Sequence, residues 1–195
     1  MLAIAVAPEG RVKEYILNAW DEIDRNYRIN FISSNSASAV PHITLLAGID
    51  EIFGDNLIGI IKKIAIDSTP FGMHSNGLGM LLLDSPLIYL RWKENIALHS
   101  LRNRILNKLE LNGIPCKNTA YNFEWMAKTT ICFQDTNYDS NLLKTINTLK
   151  TTFEFSYKST IKNLMVIKYC EGESEETVSV FRFDKQECLK HSLID

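Results

Sequence analysis

The sequence predicts an α+β fold of two similar, pseudo-symmetric lobes, each made of helices and an antiparallel sheet, arranged around a central cleft. Helix-spaced and strand-like apolar patterns alternate along the 195 residues. The order helix, strand, helix, paired strands occurs in each half, as in an internal repeat. Two short segments, PHITLL at 41–46 and AKTTIC at 127–132, fall at matching places. We predict one bilobal domain, with lobes at about 1–92 and 93–195 and termini that can cross between them.

The first half begins with a continuous apolar run at 2–7, which predicts a buried central strand. Apolar residues at helical spacing predict a helix over about 10–27, and PHITLLAG predicts a short strand after a polar loop. Asp55 predicts the start of a second helix. The buried face of that helix is expected to carry Leu57, Ile60, Ile61 and Ile64. Two strands follow, at about 69–82 and 87–92.

The second half repeats this order. A third helix is predicted to end at Gly113, and a fourth to begin at Asp139 or Ser140. The third helix is expected to bury Leu98, Leu101, Ile105 and Leu109, and the fourth Leu142, Leu143, Ile146 and Leu149. The closing strands are predicted at 153–157, 163–169 and 178–183. The charged run EGESEE at 171–176 is interpreted as a solvated hairpin tip.

Composition limits the partners. The net charge of −2 and a pI near 6.1 give no general attraction to nucleic acid or to an anionic membrane, so any phosphate site must be local. No apolar run is long enough for a signal peptide or a membrane span. The four cysteines form no CxxC pair, so we expect reduced thiols and a cytoplasmic protein. The four histidines show no metal-ligand spacing, and we expect no metal and no cofactor.

The two matching segments predict a shared polar site. Side chains alternate between the faces of a strand, so His42 and Thr44 share one face, roughly 6–7 Å apart. Lys128 and Thr130 share a face in the same way. If the lobes pack about a pseudo-two-fold axis, the two pairs face each other across the cleft. Two hydroxyls and two basic groups in that arrangement suit a phosphate group.

These paired segments resemble the 2H phosphoesterase superfamily, most closely its branch of 2′-5′ RNA ligases or cyclic phosphodiesterases. PHITLL matches the first His-x-Thr motif fully, whereas AKTTIC matches the second only in part, since Lys128 stands where that motif has histidine. The resemblance implies a bilobal α+β fold and a metal-independent site formed by His42, Thr44 and Thr130. It also implies a partner that is a nucleotide or RNA-end phosphate ester, such as a 2′,3′-cyclic phosphate or a 2′–5′ linkage.

The lysine leaves the activity open. Histidine exchanges a proton near neutral pH, while lysine has an ordinary pKa near 10.4 and is a poorer proton donor there. One hypothesis is a phosphodiesterase with His42 as base, Lys128 as acid or electrostatic stabiliser, and Thr44 and Thr130 as phosphate clamps. A second is a catalytically weak or inactive module that binds the nucleotide. A third is an interaction domain, in which residues 42–44 face nowhere near 128–130.

Three further residues are candidates for substrate binding. Arg91 can bind a phosphate, and Tyr89, two residues earlier, is expected on the same strand face. The alternative is a surface arginine beside a packed tyrosine. Tyr121, in the stretch KNTAYN ahead of the second segment, can stack on a base, although a plain loop is the alternative. Cys132 is expected on the face of Thr130, bordering the cleft.

Overall fold

The computed structural model describes residues 1–26, 31–33, 40–82, 86–116, 125–134, 141–152, 156–169 and 175–183. Of these, the side chains of 31–33, 134, 141–145 and 152 are not described. The strands in this part of the chain are β1 Leu2–Val6, β2 Phe31–Ser33, β3 Ile43–Ile49, β4 Phe71–Leu81, β5 Leu87–Lys93, β6 Lys128–Gln134, β7 Lys158–Ile161, β8 Asn163–Tyr169 and β9 Glu175–Arg182. The helices are α1 Arg11–Asn26, α2 Gly54–Ile66, α3 Ile96–Leu111 and α4 Asn141–Thr152.

These strands form two antiparallel sheets. The four-stranded sheet has the order β3-β1-β8-β9, and the five-stranded sheet has the order β2-β6-β5-β4-β7. The α+β prediction with two antiparallel sheets is confirmed. Each sheet combines strands that come before and after residue 92, so the two sheets are interleaved along the chain. The extent of the two predicted lobes stays a prediction.

The alternation LAIAVA at the start of the chain explains why β1 is central. Leu2, Ile4 and Val6 point into the main core, while Ala5 and Ala7 point to the opposite face of the sheet. There the two alanines join Met165, Ile167 and Val40 in a small separate cluster. Ala5 pairs with Thr44, so the alanine face of the sheet is also the face that carries Thr44 of the predicted site.

The helices cover the sheets with the predicted apolar faces. Helix α1 contacts β2, β6 and β7, while α2 contacts β8, β9 and α3. The buried residues of α2 and α3 include every one predicted, namely Leu57, Ile60, Ile61, Ile64, Leu98, Leu101, Ile105 and Leu109. In α4, Ile146 and Leu149 are buried as predicted, and the side chains of Leu142 and Leu143 lie outside the described ones.

Several helix and strand ends differ from the sequence prediction. Asp55 lies in the first turn of α2 rather than capping it, because a 3₁₀ turn at Glu51–Phe53 comes first and is capped by the Asp50 side chain. Asn95 caps α3 by accepting a hydrogen bond from the backbone N–H of Leu98. Gly113, at φ +63, follows the end of that helix as expected.

The C-terminal strands also start at different residues. Residues 153–155 of the predicted 153–157 strand lie outside the described residues, as do Asp139 and Ser140, and β7 begins at Lys158. Strand β8 has the predicted bounds, 163–169, whereas β9 begins at Glu175, inside the run that was predicted to be a hairpin tip.

Candidate functional site

His42 directly precedes β3 of the four-stranded sheet, Lys128 begins β6 of the five-stranded sheet, and the carboxylate of Glu175 interacts with both. Nε2 of His42 lies 3.8 Å from Oε2 of Glu175, and the side chains are only 12% and 16% exposed. Glu175 also interacts electrostatically with Lys128. The structure therefore places one carboxylate beside residue 42 and within electrostatic reach of residue 128.

The meeting of His42 and Glu175 requires a strongly curled sheet. His42 directly precedes β3 and Glu175 begins β9, and these are the two outer strands of the four-stranded sheet. At about 4.8 Å per strand, the outer strands of a flat sheet are roughly 14 Å apart. The curling folds one corner of the sheet towards the opposite corner, above the face that carries Ala5 and Ala7.

The ring of His42 is held in a defined orientation. Nδ1 lies 3.0 Å from the carbonyl oxygen of Val40. A carbonyl oxygen only accepts hydrogen bonds, so the proton of a neutral ring is on Nδ1. The lone pair is then on Nε2, the nitrogen that faces Glu175.

The side chain of Lys128 is partly buried. Burial lowers the pKa of its ammonium group below the ordinary 10.5, and the carboxylate of Glu175 acts in the opposite direction. A lysine with a lowered pKa gives up a proton more readily than one on an open surface. The sequence left this open, because burial depends on how the strands around the lysine come together.

The threonines alternate as predicted. Thr129 points into the core, where its hydroxyl accepts a hydrogen bond of 3.0 Å from the indole Nε1 of Trp92. Thr44 and Thr130 are half-buried, each on the strand face that points away from the core. In the part of the chain that the structure describes, neither of their hydroxyls has a hydrogen-bond partner, so both are available to a ligand.

Thr44 and Thr130 have matching backbone surroundings. The carbonyl of Thr44 accepts a hydrogen bond from Nε1 of Trp125 at 2.9 Å, and that of Thr130 accepts one from Nε1 of Trp20 at 3.3 Å. The residue after each threonine has no directly opposite partner in the neighbouring strand. These residues are Leu45, where β3 pairs with β1, and Ile131, where β6 pairs with β5. Such β-bulges often occur beside functional sites, where they redirect side chains.

The bulge in β3 is held by side chains of the segments around α3. Arg102 Nε donates to the carbonyl of Leu45 at 3.1 Å, and its guanidinium lies 4.9 Å from the centre of the Trp125 ring. Glu94 accepts from the backbone N–H of Ala127, directly before Lys128, and contacts His99 at 2.8 Å. The rings of His99 and Trp125 are nearly perpendicular, with centres 5.6 Å apart. This set of contacts connects the start of β6 with β3.

Of the remaining candidates, Arg91 and Tyr89 lie on the same sheet face as the second segment. Arg91 pairs with Lys128 and is exposed, while Tyr89 pairs with Thr130. Tyr89 is mostly buried, and its ring lies against Gly79 so closely that a Cβ there would overlap it. Tyr121 lies outside the described residues. The roles of all three in substrate binding stay predictions.

Two expectations were wrong. Cys132 does not share the face of Thr130, because the bulge at Ile131 shifts the register and pairs Cys132 with Ile88. It is fully buried, and burial raises the pKa of its thiol to about 12. Glu175 is not part of a solvated tip, because it begins β9 with its side chain turned towards His42. No signal in the sequence pointed to this, because the apolar residues that alternate along β9, Val178 and Val180, are the exposed ones.

No three His, Cys, Asp or Glu side chains of the described residues are grouped so that they could hold a metal ion. Among the described helices, none has the length and apolar composition that crossing a membrane requires.

Solved structures share this fold. A crystal structure of TT0787 of Thermus thermophilus has a TM-score of 0.64 at 13% identity, over 95% of this chain and 98% of that one. Escherichia coli LigT complexed with 3′-AMP has a TM-score of 0.58 at 12% identity, over 94% and 98%. A phosphoesterase has a TM-score of 0.54 at 12% identity, over 94% and 98%. No family model matches the sequence. No curated protein matches it either.

Proposed function

We propose that the protein is a 2H-type phosphodiesterase that acts on a nucleotide or RNA phosphate ester, such as a 2′,3′-cyclic phosphate or a 2′–5′ linkage. The observation that carries this proposal is the convergence of His42 and Lys128, one from each sheet, on the carboxylate of Glu175. The shared fold with LigT, whose structure holds 3′-AMP, supports a nucleotide as the ligand.

His42 is proposed as the general base. The hydrogen bond from Nδ1 to Val40 leaves the lone pair of a neutral ring on Nε2, facing the site. In hydrolysis of a 2′,3′-cyclic phosphate, Nε2 takes a proton from the attacking water as the new oxygen–phosphorus bond forms. Glu175, at 3.8 Å, stabilises the imidazolium that results.

Lys128 is proposed as the acid. As the bond between phosphorus and the ribose oxygen breaks, the ammonium group donates a proton to that oxygen, so the protonation of the leaving group balances the deprotonation of water. The lowered pKa brings the lysine closer to the range in which such a transfer is efficient. Before the transfer, its positive charge also stabilises the charge that develops on the phosphoryl oxygens.

Thr44 and Thr130 are proposed to clamp the phosphate. Their hydroxyls have no hydrogen-bond partner in the described residues, and each can donate to a non-bridging oxygen. The paired bulges and indole contacts hold the two threonines in similar surroundings. Arg91, which pairs with Lys128 on the same face, is proposed as an additional phosphate contact.

The test is a panel of 2′,3′-cyclic nucleotides and 2′–5′ oligonucleotides in which binding and product are followed together. Product that forms with the wild type and disappears with His42→Ala supports the enzyme. The control is Lys62→Ala, an exposed lysine on α2 outside the proposed machinery of this reaction. An equal loss of product in the two variants, or no product with any substrate, contradicts the proposed enzyme activity.

A second candidate is a module that binds the nucleotide without converting it. Glu175 favours this candidate, because its carboxylate acts to raise the pKa of Lys128 and so to keep the proton on the lysine. A lysine that keeps its proton binds an anion well but does not protonate a leaving oxygen. Tight binding of a nucleotide from the same panel, without turnover, selects the module.

A further inference from the structure

Basic side chains follow one another across one face of the five-stranded sheet. Lys128 on β6 pairs with Arg91 on β5, and Lys93 lies two residues further along that strand. Lys93 pairs with His74 on β4, which pairs in turn with Lys158 on β7. Residues directly opposite each other in an antiparallel pair share a face, and so do residues two apart in a strand. We call these five residues the basic row.

Burial agrees with this assignment of faces. Arg91, Lys93, His74 and Lys158 are all exposed. Their neighbours on the same strands alternate with them and are buried, as is seen for Trp92, Ser75, Met73 and Ser159. The basic row therefore lies on the face that carries Lys128 and Thr130, and the opposite face packs into the core.

The basic row is too long for one phosphate. Three strand spacings separate β6 from β7, which is roughly 14 Å at about 4.8 Å each. The step from Arg91 to Lys93 adds an offset of roughly 7 Å along the strand. A single phosphate bound between His42 and Lys128 reaches only one end of this row, whereas a chain of several phosphates can contact all of it.

The far half of the basic row borders an open groove of about 810 Å³. Besides Lys93, His74 and Lys158, its lining includes Arg11 and Lys162, with Glu9 and Glu94 as the acidic residues. Both acidic residues already have partners within the protein. Glu9 lies 3.7 Å from Lys162, while Glu94 accepts from the backbone of Ala127 and contacts His99.

Positive charge therefore predominates in the groove. In the part of the chain that the structure describes, Arg11, Lys93 and Lys158 form no ion pair. The whole chain has a net charge of −2, so this excess is local and is not a consequence of composition. Lined by exposed cations, such a groove attracts polyanions, as do the channels that follow a single nucleic-acid strand.

We infer that the basic row is a track for the backbone of a single-stranded oligonucleotide, which extends from the reacting phosphate at Lys128 to the groove beside Lys158. The inference rests on the proposed function for the position of the reacting phosphate. It adds that the substrate is a nucleic-acid strand several nucleotides long. Continuity with the proposed phosphodiester site favours nucleic acid over other polyanions.

The test compares two ligands of different length. Fluorescence anisotropy measures binding of a labelled single-stranded RNA of roughly eight nucleotides with a 3′-phosphate, within the usual range of site sizes. Competition measures binding of a 3′-nucleoside monophosphate. The variant is Lys93→Gln with Lys158→Gln, and the matched control is Lys62→Gln with Lys63→Gln, two exposed lysines on α2.

We expect the track variant to bind the RNA about tenfold more weakly at low salt. Its affinity is also expected to depend less on salt, with a slope of log affinity against log salt concentration that is smaller in magnitude by about 1.4. Its affinity for the mononucleotide and both affinities of the control pair are expected to stay within about twofold. Equal losses for the two ligands, no loss for the RNA, or the same loss in the control pair would overturn the track. Inorganic polyphosphate that binds as tightly as the RNA would overturn its assignment to nucleic acid.

This experiment separates the track from the proposed function, because it measures binding and not turnover. A selective loss of RNA affinity supports the track even if no ester is converted. If cyclic mononucleotides are converted but the RNA binds no more tightly than the mononucleotide, the proposed function stands and the track is overturned.

Discussion

Nε2 of His42 lies 3.8 Å from the carboxylate of Glu175, although the two residues stand at opposite edges of the four-stranded sheet. The same carboxylate acts on Lys128 of the other sheet. Glu175 thus interacts with both basic residues of the site. Electrostatic interactions are strong there, because His42 and Glu175 are largely shielded from water.

Glu175→Gln is expected to move the alkaline limb of the pH–activity profile to lower pH. The carboxylate raises the pKa of Lys128, so its removal lowers that pKa further, and the lysine loses its catalytic proton at a lower pH. The measurement is kcat/KM against pH. Glu176→Gln, an exposed neighbour, serves as the control, and equal shifts in the two variants would refute the role of Glu175.

Lys128→Met is expected to increase the free energy of unfolding at neutral pH, because it removes a charge that burial disfavours. Between the lowered pKa of the folded state and the ordinary 10.5, the unfolded wild type binds a proton that the folded wild type lacks. The stability of the wild type therefore rises with pH in that window, and the advantage of the variant shrinks. Urea unfolding at pH 7 and pH 10 measures this, and an advantage that stays constant would contradict it.

Lys128→His is expected to raise kcat for a cyclic nucleotide by at least about tenfold near pH 7. Histidine gives and takes protons in that range, and a matched acid contributes roughly 10²–10⁴-fold. The measurement is product formation under saturating substrate. A lower kcat, with binding unchanged, would indicate that the site depends on the lysine itself.

Trp125→Phe is expected to reduce turnover more than Trp92→Phe does, although each removes one indole donor. Trp125 binds the carbonyl of Thr44, on the strand of the proposed phosphate clamp, whereas Trp92 binds the core-facing hydroxyl of Thr129. Each change is expected to cost about 1 kcal/mol or more of unfolding free energy. Turnover measured alongside stability separates the two effects, and equal losses of turnover would exclude a positioning role for Trp125.

The sequence predicts much of this fold because its patterns are local. Apolar spacing identified the buried faces of α2 and α3, and alternation in AKTTIC identified the shared face of Lys128 and Thr130. The bulges after Thr44 and Thr130 were not predictable, because they depend on how neighbouring strands align. This is also why Cys132 was assigned to the wrong face.

Glu175 shows a second limit of sequence analysis. In a charged run with Gly and Ser, a glutamate is normally a solvated residue. Its burial here comes from the curling of the sheet, which brings the start of β9 above the segment that contains His42. The lowered pKa of Lys128 has the same origin, since it follows from burial in the assembled site.

The most direct test of the site is a double-mutant cycle on kcat/KM for a 2′,3′-cyclic nucleotide, with His42→Ala, Lys128→Ala and both together. If the two residues act on one phosphate in one step, each single change lowers kcat/KM by roughly 10²-fold or more, and the double change lowers it little further. Losses that multiply in the double variant, or a single variant that keeps wild-type kcat/KM, would contradict a shared site.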